Sequence, residues 1–416
     1  MAEYNRRSFL AKSGAVTGIA VSLAGCMGGG GGGNQIQLGA INPLSGSAAA
    51  FGELATEAQS AWVENVNSDG GLDVGGESRE VSIVEYDDES SNDQARSAAQ
   101  RLATSDDVSM ILSSWRSNGA IAINEVINNN QIPTFTHGFT PQVNTEGTYM
   151  MRLTVSTVMD AYPALQFVSD SDDIDRIGVI AEEGDWGGDT LDLMDWWFNE
   201  AGNDGEYENL GRFSFSQQDF SSYITSARNA DIDALYVQTW AAAMQRFIAQ
   251  QDRAGLNDEM PILTGLGGAD YNSLDQVGGS MTNVYALGVY TRLSYADNDQ
   301  IAETISDEAL SQFEAYQSIE GTPDHPTAYN VYADAQAAEY ALTQAGSTNG
   351  QDLREALVGN EFTTILGDAT INNRGQPSIP GALIKFDGSS GEAEIDTVAW
   401  DGQLPPITSI PPETEL

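Results

Sequence analysis

The chain has 416 residues, with 61 acids against 17 lysines and arginines and a formal net charge of −44. A hydrophobic fraction of 41% gives it a core to bury and excludes a disordered acidic tail, while the charge excludes nucleic acid as a partner. Its single cysteine, Cys26, excludes a disulfide framework. The acids are scattered over every segment, whereas a docking patch for a basic partner would cluster them. Concentrated salt shortens the Debye length to about 3 Å at 1 M and so removes most of their mutual repulsion, which points to the exported protein of an extreme halophile.

Residues 1–26 read as an address rather than as fold. Asn5-Arg6-Arg7-Ser8-Phe9-Leu10-Ala11-Lys12 resembles a twin-arginine export signal, and Leu23-Ala24-Gly25-Cys26 resembles a lipoprotein signal-peptidase site whose cysteine is lipidated. The apolar run between them, Ala15 to Leu23, is too short to span a bilayer, which needs about 20 residues. Residues 27–35, with Gly28 to Gly33, form a flexible tether. The expected location is the extracellular face of the cell membrane, with Cys26 as the lipid anchor.

From there strand-like and helix-like segments alternate. Ile36 to Asn42 reads as a strand, and Phe51, Leu54, Ala55, Ala58, Trp62 and Val66 mark the face of a helix. Val81 to Tyr86 is a second strand, and Ser91 with Gln94 forms a capping box for a helix through Leu102. Met110 to Leu112 and Ile132 to Phe135 are strands around a helix with Ile121, Val126 and Ile127 on one side. Further strands fit Ile177 to Ala181, Ala234 to Gln238, Pro261 to Thr264 and Val284 to Val289. Helices fit Leu191 to Glu200, Tyr223 to Asn229, Ala242 to Ala254 and Tyr329 to Leu342. Val81 to Trp115 and Arg212 to Trp240 echo each other, both ending strand, then tryptophan. The alternation predicts a doubly wound parallel α/β architecture, and about 380 residues exceed one such sheet, so two lobes follow. The tail 403–416 carries four prolines and reads as extended.

In a parallel sheet the loops after Leu112 and Phe135 leave the carboxyl ends of their strands and face one crevice. Ser117 and Thr140 then converge with hydroxyls on one small molecule, and Gly138 lets it approach backbone. Ser45-Gly46 and Phe51-Gly52 flank a helix start with free N–H groups, which suit a carboxylate or amide oxygen; Trp186 and Trp240 supply apolar walls. Catalytic readings find little: His137 and His325 are the only histidines, no Gly-x-Ser-x-Gly occurs, and no spacing supports zinc. Gly265 to Asp270 lacks the last glycine of a dinucleotide loop, and Asp87-Asp88-Glu89 reads as a solvated turn before a calcium ligand set. No enzyme activity, cofactor or metal is expected.

Asn42-Pro43-Leu44-Ser45-Gly46 with Phe51-Gly52, Asn67-Ser68-Asp69-Gly70-Gly71-Leu72, Val84-Glu85-Tyr86-Asp87-Asp88, and Ile132-Pro133 leading to Thr136 and Thr140 together resemble the type I periplasmic solute-binding proteins of ABC importers, in the leucine/isoleucine/valine-binding branch. The resemblance, over about residues 36–400, implies two lobes that close on a ligand, 36–153 plus 290–367 and 154–289 plus 368–402, with three crossovers near Thr154, Tyr290 and Gly367. It implies that Ser117 and Thr140 hold the ligand carboxylate with backbone at Gly138 and Phe139, and that Phe51, Trp186, Trp240 and Tyr329 enclose the ligand. Tyr290, at the second crossover, belongs to the same set. The branch's ammonium-binding glutamate falls near Gly267, where Asp270 is the nearest acid, and Arg116 adds a cation beside Ser117. The implied function is a monomeric lipid-anchored receptor delivering a branched-chain amino acid, or a related small carboxylate or amide, to membrane permease subunits. A ligand-sensing module for a membrane signalling receptor is the alternative.

Overall fold

The computed structural model describes residues 35–404 except Ser47, Phe215, Trp240, 269–275 and 289–305. The signal segment, Cys26, the tether up to Asn34, the tail beyond Leu404, Trp240, Asp270 and Tyr290 lie outside the described residues.

The first sheet begins with β1 (Gln35–Asn42), whose buried run marks a strand covered on both faces. α1 (Ala49–Ser68) buries Ala55, Ala58, Trp62 and Val66 at helical spacing. β2 (Leu72–Val74) turns back into β3 (Glu77–Asp87) through Gly75 and Gly76, both at positive φ, the geometry of a tight two-residue hairpin. α2 (Asn92–Thr104), β4 (Ile111–Ser114), α3 (Ser117–Asn130), β5 (Thr134–Phe135) and β6 (Met150–Met151) follow. The strand order is β2-β3-β1-β4-β5-β6, with β1 parallel to both β3 and β4.

Two local expectations change. Ser91 does sit at the N-cap of α2, but its side chain makes no capping bond, so the capping box is absent. Ile121 is 38% exposed, because α3 turns Ala120, Ile123, Val126 and Ile127 to the core and leaves Ile121 outside that stripe.

α4 (Thr157–Ser169), capped by Ser156 Oγ, carries the chain to the second sheet. There follow β7 (Arg176–Glu182), α5 (Asp185–Asp195) with a π-helical turn at Trp196–Glu200, β8 (Glu206–Phe213), α6 (Ser221–Asn229), β9 (Ala234–Gln238), α7 (Ala241–Arg253), β10 (Ile262–Thr264) and β11 (Val284–Leu287). Then come α8 (Asp307–Ser318), α9 (Pro326–Ala345), α10 (Gly350–Leu357) and four antiparallel strands, β12 (Glu361–Thr364), β13 (Gly367–Ile371), β14 (Pro377–Asp387) and β15 (Glu394–Leu404). Among the described residues the order is β12-β13-β14-β11-β10-β9-β7-β8, with β15 on β14. β14 runs between two cores: Ile379 belongs to the one that holds Trp62, Tyr329 and Ile371, while Ile384 and Phe386 belong to the one that holds Val237 and Phe247.

Chain order reverses at β1 in the first sheet and at β7 in the second, and at such switch points the loops leaving the strand ends splay to opposite faces and open a crevice.

Candidate functional site

A cavity of about 310 Å³ opens where those crevices meet. From the first sheet it is lined by Ala48 and Phe51 after β1, by Trp115, Arg116 and Ser117 after β4, and by His137, Gly138 and Phe139 after β5. The second sheet adds Glu182 and Trp186 after β7. Thr154, from the stretch before α4, and Pro326, Thr327 and Asn330, from α9, complete the wall.

The two crevice loops press together. Gly138 stands so close to α3 that a Cβ there would lie 2.9 Å from Ser117 Cα and N and 3.0 Å from Arg116 C. Ser117 Oγ accepts the Thr140 N–H at 3.2 Å. Arg116, at the N-cap of α3, holds φ at +61°, a region costly for a residue with a side chain. Its Nη2 lies 3.6 Å from Asp88 Oδ2, and burial raises the Asp88 pKa above the ordinary carboxylate range. Neighbouring Asp87 accepts backbone N–H groups of Leu44, Ser45 and Glu89, so it braces the first loop.

Aromatic rings form the rest of the wall. Trp115 stacks on His137 at 4.5 Å and on Phe51 at 5.8 Å, and Phe139 of the first sheet stacks on Trp186 of the second at 4.9 Å and 14°. The indole N–H groups of Trp115 and Trp186 are buried, and neither finds an acceptor among the described residues. Both nitrogens of His137 face protein: Nδ1 lies 3.0 Å from Asn330 Nδ2 and Nε2 3.0 Å from Asp334 Oδ2. Burial pushes the Asp334 carboxyl up to about 6, opposed by the attraction of His137. His325 is a helix cap, its Nδ1 accepting the Thr327 N–H. Glu182, half-buried, accepts the Thr239 hydroxyl on Oε2 at 3.1 Å, and burial raises its pKa. Gly187 lets α5 settle on that strand end, since a Cβ there would lie 1.9 Å from Glu182 O.

Of the residues singled out from sequence, Phe51, Arg116, Ser117, Gly138, Phe139 and Trp186 come together on this wall. Thr140 and Tyr329 stand behind it. Thr140 is buried and its hydroxyl oxygen accepts the Gln142 N–H, capping a short 3₁₀ turn. Tyr329 hydrogen-bonds Asp324 and packs on Phe313 and Tyr316, because α9 turns Pro326, Thr327 and Asn330 to the cavity and carries Tyr329 about 100° away. Trp240, Asp270 and Tyr290 lie outside the described residues. Glu182 and Asn330 were missed; a glutamate at the end of an apolar strand was the available signal for the first.

A model of the periplasmic binding protein family matches residues 35–392. The chain belongs to that family. It is a solute-binding protein with the fold of two parallel-sheet lobes. A Leu/Ile/Val-binding protein homolog from Brucella abortus is 25% identical over 348 residues, 82% of this chain and 87% of that one. An ABC transporter substrate-binding protein from Sphaerobacter thermophilus superposes with a TM-score of 0.74 at 21% identity, covering 89% of this chain and 98% of that one. A solute-binding protein from Rhodopseudomonas palustris, in complex with 3,4-dihydroxybenzoic acid, superposes at 0.72 with 18% identity over 89% and 98%. No helix among the described residues is long and apolar enough to cross a membrane.

Proposed function

We propose that this solute-binding protein is a lipid-anchored receptor on the extracellular face of a halophile's cell membrane, exported by the twin-arginine route and held by Cys26. It captures a small organic carboxylate and hands it to the permease subunits of an ABC importer; it works as a monomer, without nucleic acid, and catalyses nothing. One observation carries the ligand class: the amino end of α3, with Arg116 and Ser117, opens onto the same cavity as two sets of stacked aromatic rings. Helix N–H groups and a guanidinium favour an anion. The rings favour an apolar or flat body. The relatives' names cover both kinds of cargo, branched-chain amino acids in the Brucella protein and an aromatic acid in the Rhodopseudomonas protein.

The reading also supports capture by closure. Phe139 and Trp186 come from different sheets, so a ligand that touches both walls stabilises the state in which they meet. The test is a thermal-shift screen of residues 34–416 in multimolar KCl against amino acids, aromatic acids, dicarboxylates, amides and urea, with calorimetry on hits. A hundredfold excess over Kd adds about 2.7 kcal/mol of stability. The expected hit binds as a free acid and is lost as its methyl ester. Hits that bind equally well as esters, or hits confined to urea and amides, overturn the carboxylate reading.

A further inference from the structure

Arg152, just after β6, is fully buried at 0% exposure. Its guanidinium grips the second crevice loop from behind: Nη1 donates to Gly138 O at 2.8 Å, and Nη2 donates to Thr140 O at 2.6 Å and to Asn144 Oδ1 at 2.7 Å. Its Nε finds no acceptor, and no carboxylate among the described residues lies within ion-pair distance of it. The closest side-chain oxygen it uses belongs to an amide, Asn144, whose Oδ1 also accepts from Gln376 Nε2. In a chain with 61 acids and 17 cations, an arginine enclosed by neutral acceptors is unusual, since buried charges are ordinarily paired. Burial lowers its pKa, yet a guanidinium stays charged through neutral pH.

The loop that it holds is cavity wall. In the trans peptide joining Gly138 to Phe139, C=O and N–H point opposite ways, so fixing Gly138 O on Arg152 turns the Phe139 N–H away from the guanidinium. Gly138 and Phe139 line the cavity on the side where α3 begins. The positive charge therefore sits directly behind the backbone that meets the ligand.

We propose that Arg152 is a positioning residue whose unpaired charge is completed by the ligand, the bound carboxylate acting across the Gly138–Phe139 peptide as the counter-ion that the protein withholds. This deepens the carboxylate reading and rests on it. Asn144 is then an amide for a reason: an aspartate there would pair with Arg152 and weaken the pull on a ligand. With charges about 10 Å apart and an effective dielectric of about 20, that pull changes Kd by roughly tenfold.

Two variants test it, Arg152→Gln and Asn144→Asp, each checked for a cooperative melt. The probes are two acid and amide pairs, benzoate with benzamide and L-isoleucine with L-isoleucinamide, titrated by calorimetry into the protein from residue 34 onward. For the pair whose acid binds, the acid-over-amide preference is expected to fall about tenfold in both variants, over and above the affinity that acid and amide lose together in Arg152→Gln when the loop loses its brace. Asn144→Asp is decisive, because it keeps an acceptor on Arg152 while cancelling the charge, and what it gives up, the Asn144 Nδ2 donation to Arg374 O, weighs on acid and amide alike. A preference that is kept or raised in Asn144→Asp makes Arg152 a brace alone and overturns the inference, leaving the carboxylate reading standing. If in the wild type the amides bind as well as the acids, or neither acid binds, the carboxylate reading has failed and this inference falls with it.

Discussion

Gly138→Ala tests whether the site depends on two loops being pressed together. The added methyl would stand 2.9 Å from Ser117 Cα and N and 3.0 Å from Arg116 C, all backbone, where ordinary carbon contacts need about 3.5–4 Å. One loop must move by about 0.5–1 Å. The second loop cannot simply withdraw, because Arg152 holds Gly138 O and Thr140 O, and Thr140 N–H is held by Ser117 Oγ. Overpacking of this kind costs about 1–3 kcal/mol of stability. The displacement falls on the groups that face the ligand, so affinity should drop tenfold or more, which is about 1.4 kcal/mol. Thermal unfolding of the ligand-free protein and calorimetry with the screen's best ligand read the two effects separately. Gly119→Ala is the control: it lies in α3, its Cβ would meet only Arg116 Nη2 at 4.0 Å, and alanine should stabilise the helix by about 0.5–1 kcal/mol. A Gly138→Ala protein with wild-type melting and wild-type affinity would refute the argument, since it would show that the loops can part without consequence.

Glu182→Gln should weaken an amine-bearing ligand by about 1.5–3 kcal/mol, the range for a hydrogen bond to a charged group, and leave acids without an amine nearly unchanged. Paired titrations of phenylalanine and 3-phenylpropanoate decide it; an equal loss for both would remove Glu182 from amine recognition. Asp160 is buried, its Oδ1 accepting the Leu266 N–H, and burial raises its pKa to about 7. A carboxyl raised on folding binds more protons folded than unfolded between about pH 4 and 7, so its contribution is favourable at low pH and is lost as pH rises through that window. Asp160→Asn should therefore melt higher than wild type at pH 8, by on the order of 3–4 kcal/mol, with the difference closing toward pH 4. Equal pH dependence in the two proteins would mean that Asp160 is not held in that environment.

The parallel strands were legible because they are buried on both faces and read as short apolar runs, as in Ala234–Gln238 and Ile177 to Ala181. The four closing antiparallel strands were not: β15, Glu394–Leu404, is broken by Glu394, Asp396 and Asp401, and β14, Pro377–Asp387, opens on Pro377 and Pro380 ahead of its apolar run. The helix placed at Leu191 begins instead at Asp185, because Gly187 and Gly188 hide its first turn in a pattern search while a close approach to Glu182 requires the first of them. At the site, residues carried on their own loop could be read: Ser117, Gly138 and Phe139 follow strand ends directly. Residues whose role depends on a distant partner could not. His137 is tied to Asn330 and Asp334, nearly two hundred positions away, and Arg152 matters only through the carbonyls that it meets in the folded loop.

The scarcity of cations gives the site its logic. Among 17 lysines and arginines, two stand at one pair of loops, Arg116 on the cavity wall and Arg152 behind it. An anionic solute approaching this protein meets a surface dominated by acids and is repelled at long range, while inside the cavity it meets helix N–H groups and guanidinium charge at short range. Salt acts unequally on the two. At 1 M the Debye length of about 3 Å removes the outer repulsion, whereas buried charges are screened far less. The association rate of an acid ligand should therefore rise steeply between 0.1 and 2 M KCl (both about those values) while its dissociation rate changes little. Stopped-flow tryptophan fluorescence, with Trp115 and Trp186 on the wall, reads both rates. An association rate that falls with salt would mean that the outer field attracts the ligand, and a cation would then have to replace the carboxylate as the cargo.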